Sequence, residues 1–280
     1  MIIFKRPAYL HSYLLSKNLV RQQIGFVPTM GALHSGHMSL VAAACNENDL
    51  VICSIFVNPT QFNDPKDFEK YPSTIENDVM LLEQSGCDIL FLPSVADIYP
   101  EGTQTTSHYP LGPLENILEG KFRPGHFQGV CQVVNRLLDI IQPGKLYLGQ
   151  KDFQQCMVIK KLVDLLGVQI EIIICTTRRE ADGLAMSSRN ARLSEEDRMK
   201  AATIYQTLTT IKNHLVAGET SSVKELARQN LVEAGFKVDY VELAKAETLE
   251  SIDKWDGITR LVALAAVYLN EVRLIDNLLL

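Results

Sequence analysis

Two histidines three residues apart lie in the stretch whose residue types point most clearly to chemistry. Residues 29–37 read TMGALHSGH, so His34 and His37 follow a glycine-containing turn. An apolar run over residues 24–27 stops at Pro28, and a helical pattern starts near His37, which predicts a strand, a tight turn and a helix. The first N–H groups of such a helix have no helical partners, and its dipole is positive at this end. The sequence therefore predicts an anion site suited to a polyphosphate.

Imidazole groups at that helix end have a chemical use. They can donate to phosphate oxygens as cations or as fixed neutral tautomers, and they can stabilise charge that develops in a transition state. Gly31 and Gly36 lack a Cβ and would let the backbone approach a ligand closely. The same stretch could be a plain strand-to-helix connection, but it follows the first strong strand, which is where doubly wound folds bind ligands.

Four later stretches place polar side chains near the ends of apolar runs. They are residues 56–63 (FVNPTQFN), 123–130 (RPGHFQGV), 149–155 (GQKDFQQ) and 182–190 (DGLAMSSRN). Amides offer donors and acceptors to a hydroxy acid or carboxylate, and arginine binds phosphate or carboxylate in a bidentate manner. A lysine supplies a mobile charge for a polyphosphate, and two hydroxyls followed by an arginine can wrap a triphosphate. Taken singly, each stretch is also compatible with an ordinary turn or a capped helix.

The elements that must position these groups follow from the alternation of apolar runs and amphipathic stretches. The predicted strands are 24–29, 50–57, 88–92, 145–148 and 168–175, and the predicted helices are 39–46, 74–85, 128–141 and 152–166. Strands that alternate with helices predict a parallel sheet with crossover helices. The expected fold class is therefore α/β, a Rossmann-like doubly wound sheet that gathers polar groups at the carboxyl ends of its strands.

The character of the chain changes after about residue 180. The predicted elements are a helix capped by Ser194 that runs toward residue 216, a helix over 222–234, and strands over 237–243 and 260–268, the second extended by 272–275. Helices followed by strands predict a smaller α+β domain. The expected domains are 1–180 and 181–280.

Composition excludes several classes of protein. The chain has 280 residues, of which 46% are apolar and 21% charged, so disordered and fibrous classes are excluded. Its net charge of -6 argues against broad nucleic-acid binding. The six cysteines form no C-x-x-C pair, the first residues lack the long apolar segment typical of a signal peptide, and no apolar stretch reaches membrane length. We therefore expect a cytoplasmic protein with reduced thiols that makes no membrane contact.

In order along the chain, the five stretches resemble the motifs of the pantothenate synthetase (pantoate-beta-alanine ligase) family of the H-x-G-H nucleotidylyltransferase superfamily. The similar elements are TMGALHSGH, then FVNPTQFN with Asp67, Tyr71 and Pro72, then RPGHFQGV, GQKDFQQ and MSSRN. The last is similar to the mobile K-M-S-K-S loop of the superfamily. The chain departs from the family at Ser73, Gln150 and Arg178, where Arg, Glu and a small apolar residue are more common.

The resemblance implies an ATP-dependent condensation of pantoate with beta-alanine through a pantoyl adenylate, with release of AMP and pyrophosphate. The catalytic residues that it implies are His34, His37, Lys151, Ser187, Ser188 and Arg189. The implied ATP contacts are Met30, Gly31, Ala32, Leu33, His34, Ser35, Gly36, His37, Gly149, Gln150, Lys151, Asp152, Arg178, Met186, Ser187, Ser188 and Arg189. The implied contacts to pantoate or beta-alanine are Asn58, Gln61, Arg123 and Gln155.

The resemblance also implies partners. Mg²⁺ is expected with ATP, held mainly by phosphate and water, with Asp78 as a candidate ligand; no tightly bound organic cofactor is expected. A homodimer and closure of the small domain through residues 186–189 are further expectations. Another nucleotidylyltransferase or an amino-acid-activating enzyme of the superfamily is the alternative enzyme, and a nucleotide sensor is the alternative without catalysis. The sensor is disfavoured because His37, Lys151 and Arg189 are all present.

Overall fold

A computed structural model describes residues 1–17, 20–63, 68–69, 71–104 and 108–280. The chain forms two compact units. The first comprises Met1–Gly149 and Val158–Thr176, and the second comprises Gln150–Met157 and Thr177–Leu280. The boundary expected at residue 180 stays a prediction, and no pattern in the sequence indicates that residues 150–157 group with the C-terminal part of the chain.

The first unit contains a parallel sheet in which six strands are described. They are β1 Ile2–Phe4, β2 Ile24–Thr29, β3 Leu50–Ile55, β4 Ile89–Phe91, β5 Lys145–Gly149 and β6 Glu171–Cys175. The strand order is β1-β4-β3-β2-β5-β6, and Phe26 pairs with Ile52 on one side and Leu146 on the other. The order changes direction between β2 and β5, where doubly wound sheets open a ligand crevice. The predicted Rossmann-like fold is confirmed, and β1 is a strand that the sequence analysis missed.

Helices follow the strands of this sheet. The longer ones are α1 Pro7–Ser16, α2 Ser35–Glu47, α3 Ile75–Gln84, α4 His126–Ile141 and α5 Phe153–Leu166, and two one-turn helices lie at Val95–Ile98 and Glu119–Phe122. The central strands are buried on both faces, with Phe26, Ile52, Leu90 and Leu146 fully inaccessible, which explains why they read as continuous apolar runs instead of alternating ones. Across the described ranges, no helix has both the length and the hydropathy of a bilayer span.

The second unit is α+β, as predicted. Its helices are α6 Glu195–Ala201, α7 Thr203–His214 and α8 Ser221–Glu233, and its strands are β7 Gly218–Glu219, β8 Lys237–Lys245, β9 Lys254–Trp255, β10 Leu261–Leu269 and β11 Val272–Leu279. The antiparallel order β11-β10-β8 forms the main sheet, while β7 pairs with β9. Its core contains Leu208, Leu231, Leu243, Ala263 and Val267, so helices and sheet share one apolar interior.

Two predictions about this unit are wrong. The helix expected from Ser194 to residue 216 is two helices. The first ends at Ala201 and the second begins at Thr203, although Ala202 between them keeps helical φ and ψ angles. The apolar period continues through such a break, so the sequence pattern does not show it. Residues 272–275 do not extend β10: they begin β11, because Asn270 adopts a φ of 52° and the chain turns back. Asparagine tolerates this left-handed conformation better than most residues.

Candidate active site

The turn after β2 places both histidines at the amino end of α2. His34 is the N-cap, and its Nδ1 accepts the Gly36 N–H at 3.1 Å. The backbone N–H of His34 in turn donates to Nδ1 of His37 at 3.3 Å. The helix therefore begins at Ser35, before the predicted range 39–46, because imidazoles act as the side chains of a capping box that serine and glutamate usually form.

This capping fixes the chemical form of the two rings. A nitrogen that accepts a backbone N–H must carry a lone pair, so Nδ1 of His34 and Nδ1 of His37 are unprotonated. Each neutral ring then carries its proton on Nε2. The ring centroids are 4.1 Å apart, so the pair offers two neighbouring N–H donors near the positive end of a helix. Such an arrangement suits phosphate oxygens.

Asp78 holds the backbone that precedes the histidine pair. Its Oδ2 accepts the Ala32 N–H at 2.9 Å, and its Oδ1 accepts the Leu33 N–H at 2.8 Å and the Thr74 hydroxyl at 2.9 Å. Gly31 and Ala32 have φ values of 83° and 49°, and a Cβ on Gly31 would lie 3.1 Å from Asp78 Oδ2. The fully buried carboxylate thus stabilises a left-handed turn. Its predicted contact with a metal stays a prediction.

Gln61 is held by a buried amide network. Asn58 Nδ2 donates to Gln61 Oε1 and to the Gly129 carbonyl, both at 3.1 Å. Burial raises the pKa of Tyr99 to about 12, so its protonated hydroxyl donates to Asn58 Oδ1 at 2.8 Å. The Gln61 Nε2 donates one hydrogen to Met30 Sδ at 2.9 Å, so its second hydrogen is the one that suits a carboxylate. Asn58 is 1% exposed, and its predicted contact with pantoate stays a prediction.

Arg123 and His126 contact the backbone carbonyl of Gln61. The Gln61 carbonyl lies 2.7 Å from His126 Nδ1, which must therefore donate, and Arg123 Nη1 donates to His126 Nε2 at 3.2 Å. His126 is consequently the Nδ1–H tautomer. Within the motif that follows Gln61, Asp67 lies outside the described residues, and Tyr71 stacks edge-on against Phe62.

In the second unit, a single turn presents Lys151. The 3-10 turn Gln150–Asp152 precedes α5, and Lys151 Nζ lies 3.8 Å from Asp152 Oδ1. The Lys151 side chain is 17% exposed and that of Asp152 is 49% exposed. Gln155 lies in the first turn of α5 and is half-buried. This turn thus offers one cation and one accessible carboxylate close together.

The MSSRN loop of the second unit follows a short hairpin over residues 178–186. The Met186 N–H donates to the Arg178 carbonyl at 3.0 Å, and Ser187 caps the 3-10 turn Ser188–Arg192 by accepting the Arg189 N–H at 3.3 Å. Asn190 Nδ2 donates to the Ala185 carbonyl at 3.0 Å. Backbone and side-chain bonds therefore shape the loop that carries both hydroxyls.

Residues outside the five predicted motifs contact these segments. Arg179 binds Asp276 through two N–H groups, and Asn277 donates to the carbonyl oxygens of Gln150 and Lys151. One signal was available: Asp276 and Asn277 interrupt the apolar residues of the last strand. Nothing in the sequence pattern, however, indicates which distant residues they bind.

The described contacts group the predicted residues by unit. In the first unit His34 bonds with His37, and Gln61 bonds with Asn58 and lies beside Arg123. In the second unit Asp152 lies beside Lys151, and Arg178 bonds with Met186. Each group is a compact set of donors or charges, suited to phosphate and carboxylate ligands.

Comparison with known proteins identifies the family. The sequence profile described as pantoate-beta-alanine ligase matches residues 2–279. The chain is 47% identical to pantothenate synthetase of Cytophaga hutchinsonii, over 100% of this chain and 99% of that protein. It resembles the crystal structure of pantothenate synthetase from Thermus thermophilus with a TM-score of 0.89, at 40% identity over 99% of both chains. It also resembles the ligase of Francisella tularensis complexed with beta-gamma ATP and beta-alanine, with a TM-score of 0.82, at 41% identity over 100% of this chain and 97% of that chain. Because the profile spans almost every residue, this chain belongs to the pantoate-beta-alanine ligase family.

Proposed function

We propose that this chain uses ATP to join pantoate to beta-alanine through a pantoyl adenylate, forming pantothenate and releasing AMP and pyrophosphate. The observation that carries the proposal is the histidine pair at the start of α2, in which both Nδ1 atoms accept backbone N–H groups, so that each ring carries its proton on Nε2. The names of the full-length relatives support the substrates, and the Francisella tularensis structure shows a family member with an ATP compound and beta-alanine.

The first half-reaction transfers an adenylyl group. A carboxylate oxygen of pantoate attacks the α-phosphorus of ATP, the bond from that phosphorus to the bridging oxygen breaks, and pyrophosphate leaves with the electron pair. Negative charge grows on the α-phosphate oxygens and on the leaving group. His34 and His37 donate hydrogen bonds to this charge, Lys151 and Arg189 neutralise it, and Ser187 and Ser188 donate hydroxyl hydrogen bonds to it.

The second half-reaction forms the amide. The neutral amine of beta-alanine attacks the adenylate carbonyl, AMP leaves with the electron pair, and the nitrogen loses a proton. Gln61 is assigned to pantoate because the Nε2 hydrogen that does not bond to Met30 suits a carboxylate or a hydroxyl, and Gln155 and Arg123 are assigned with it. Closure of the small domain through residues 186–189, which would exclude water from the adenylate, stays a prediction.

Mg²⁺ is expected to accompany ATP. It would neutralise phosphate charge and orient the leaving pyrophosphate. Among the predicted site residues, Asp152 fits a role beside it, because its carboxylate is half exposed next to Lys151. Asp78 fits less well, since its oxygens already accept three hydrogen bonds in the interior.

Exchange of labelled pyrophosphate into ATP tests the proposal directly. We expect exchange that depends on added pantoate and that occurs without beta-alanine, because only the first half-reaction is needed. Folded protein that shows no exchange with pantoate would contradict the proposal. Exchange supported by an amino acid in place of pantoate would favour the amino-acid-activating alternative.

Cytoplasmic location is a further prediction, supported by the cysteines. All six are free thiols, and burial raises the pKa of Cys87 and Cys131 to about 12. Thiols of this kind suit a reducing compartment.

A further inference from the structure

The last strand of the second unit contacts the Lys151 turn and the hairpin that leads into the MSSRN loop, and the proposed function assigns Lys151 and that loop to ATP. Asp276 and Asn277 are neighbours in β11, and they are 4% and 2% exposed. Asn277 bonds to the turn Gln150–Asp152, and Asp276 binds the hairpin 178–186 through Arg179. Buried polar side chains in an apolar strand are costly without partners. In this strand, the partners are the two segments that carry the proposed ATP contacts.

Asn277 uses both ends of its amide on the lysine turn. Its Nδ2 donates to the carbonyl oxygens of Gln150 and Lys151, each at 2.9 Å. Its Oδ1 accepts the Gln150 side-chain amide at 3.1 Å. The two carbonyls belong to the peptide groups on either side of the Lys151 Cα, so fixing both fixes the direction in which the lysine side chain leaves the backbone. The Gln150 amide completes the arrangement with a donor that a glutamate carboxylate would not provide.

Asp276 holds the hairpin 178–186 through the guanidinium of Arg179. Arg179 donates to the two Asp276 oxygens at 2.6 and 3.0 Å, and to the carbonyls of Gly183 at 3.0 Å and Asn277 at 3.1 Å. The guanidinium also lies 3.9 Å from the centre of the Tyr205 ring. Burial raises the pKa of the Asp276 carboxyl, and the charge of Arg179 opposes that rise. The strand is thereby linked to both the start and the turn of the hairpin.

We propose that Asp276 and Asn277 are positioning residues that hold the Lys151 turn and the hairpin 178–186 in a fixed arrangement for ATP. The inference rests on the proposed function, which assigns Lys151 and the loop after the hairpin to ATP. Successive side chains of a strand project to opposite faces, so two neighbouring residues can serve two segments. Charges and donors that are fixed before the ligand binds need no reorganisation during the reaction.

Replacement of Asn277 by aspartate tests the hydrogen bonds that position Lys151 without changing the shape of the packed side chain. Asn277→Asp keeps the shape but replaces the Nδ2 donor with an oxygen that faces two carbonyls. We expect the Kd for ATP, measured by calorimetry, to rise by about tenfold or more, with a matching fall in pantoate-dependent exchange, because two buried hydrogen bonds are lost and Lys151 is misplaced. Asn277→Ala should act in the same direction. It adds no charge, so a rise shared by both variants does not come from repulsion of phosphate.

Two further variants show how the Kd for ATP depends on which contact of β11 is removed. Gln150→Met removes the donor to Asn277 Oδ1 without adding charge and should raise the Kd for ATP less than either Asn277 variant. Arg273→Ala is the matched control, because it removes the 2.8 Å bond to Asp239 at the other end of the same strand. It should lower the melting temperature and leave the Kd for ATP unchanged.

The outcomes distinguish the positioning role from the proposed function. If Asn277→Asp binds ATP as tightly as the wild type and Arg273→Ala, the positioning role is overturned. If the wild type binds ATP but shows no pantoate-dependent exchange, the proposed function fails, while the ratio of the Asn277→Asp and wild-type Kd values still decides the positioning role. A wild type that binds no ATP overturns both.

Discussion

At the scale of single residues, the histidine pair combines a structural task with a chemical one. Each ring uses Nδ1 to satisfy a backbone N–H at the start of α2, and this leaves Nε2 as its donor. The two nitrogens of one ring can therefore be tested separately. Asparagine is useful for this purpose because its Oδ1 can accept where Nδ1 did, while it places nothing at Nε2.

His37→Asn should retain the fold and lose the reaction. We expect pantoate-dependent exchange to fall by about 10²-fold to 10³-fold, as when a donor to developing negative charge is removed. The free energy of unfolding should stay near that of the wild type. His37→Ala should show the same loss of exchange and, in addition, about 1 kcal/mol lower stability in urea, because the cap bond is also lost. Near-normal exchange by either variant would remove His37 from the mechanism.

Asp78→Asn should weaken both the fold and ATP binding. An amide cannot accept from both Ala32 and Leu33, so one buried N–H loses its partner and the free energy of unfolding should fall by about 1 to 3 kcal/mol. Urea denaturation measures the fall. Asn77→Ala, an exposed change in the same helix, should stay within about 0.5 kcal/mol of the wild type. If stability is unchanged and added Mg²⁺ restores exchange, Asp78 is a metal ligand instead.

At the scale of elements, a short turn of the second unit gives a pH-dependent signal. Asp256 accepts the Thr259 hydroxyl and the N–H groups of Ile258 and Thr259, and these bonds lower its pKa to about 2. The neighbouring Trp255 donates to the Thr259 carbonyl at 2.9 Å. Because Trp255 is the single tryptophan of the chain, its fluorescence reports on this turn.

Asp256→Asn should change the acid response of that fluorescence. The folded pKa lies below the unfolded value of about 3.9, so the carboxylate stabilises the fold above about pH 4, and this contribution is lost as the pH falls toward 2. The variant should be less stable than the wild type at neutral pH, and the difference should shrink in acid. Asp253→Asn, at an exposed neighbouring position, should retain the wild-type response. A constant difference at every pH would contradict the assignment.

The bounds of a strand or helix can be predicted from sequence where burial alone decides the pattern of apolar residues. Strand β2 was expected at residues 24–29 and lies at Ile24–Thr29, because an apolar run bounded by polar residues has few alternatives. The start of α2 was misplaced because histidine is an unusual cap. Residues 272–275 begin β11 instead of extending β10 because Asn270 is left-handed, and the loop Asn270-Glu271 lacks the glycine that usually marks a two-residue hairpin turn.

Contacts within the site were the least predictable part. The motifs pointed to Lys151 and Gln61, whose neighbours in sequence carry a recognisable pattern. They did not point to Asn277, which bonds to Gln150 across 127 positions of sequence, or to His126 as the partner of the Gln61 carbonyl. Such pairs depend on tertiary packing, and local periodicity contains no information about them.

At the scale of the whole molecule, the resemblance predicts a homodimer. Sedimentation at micromolar concentration should give a mass of twice 31.3 kDa, as expected for a closed two-fold assembly. The mass should not change on moderate dilution if the interface is stable. A single species of 31.3 kDa would contradict the prediction and leave the chemistry of each chain unaffected.

The discontinuous second unit has a consequence for biosynthesis. Because Asn277 follows Gln150 by 127 positions, the lysine turn leaves the ribosome long before the strand that holds it. At about 5 to 20 residues per second, this delay is roughly 6 to 25 s. During translation, the Rossmann-like strands are therefore complete while the lysine turn still lacks its β11 contacts. Nascent chains should acquire nucleotide affinity only after β11 has left the ribosome.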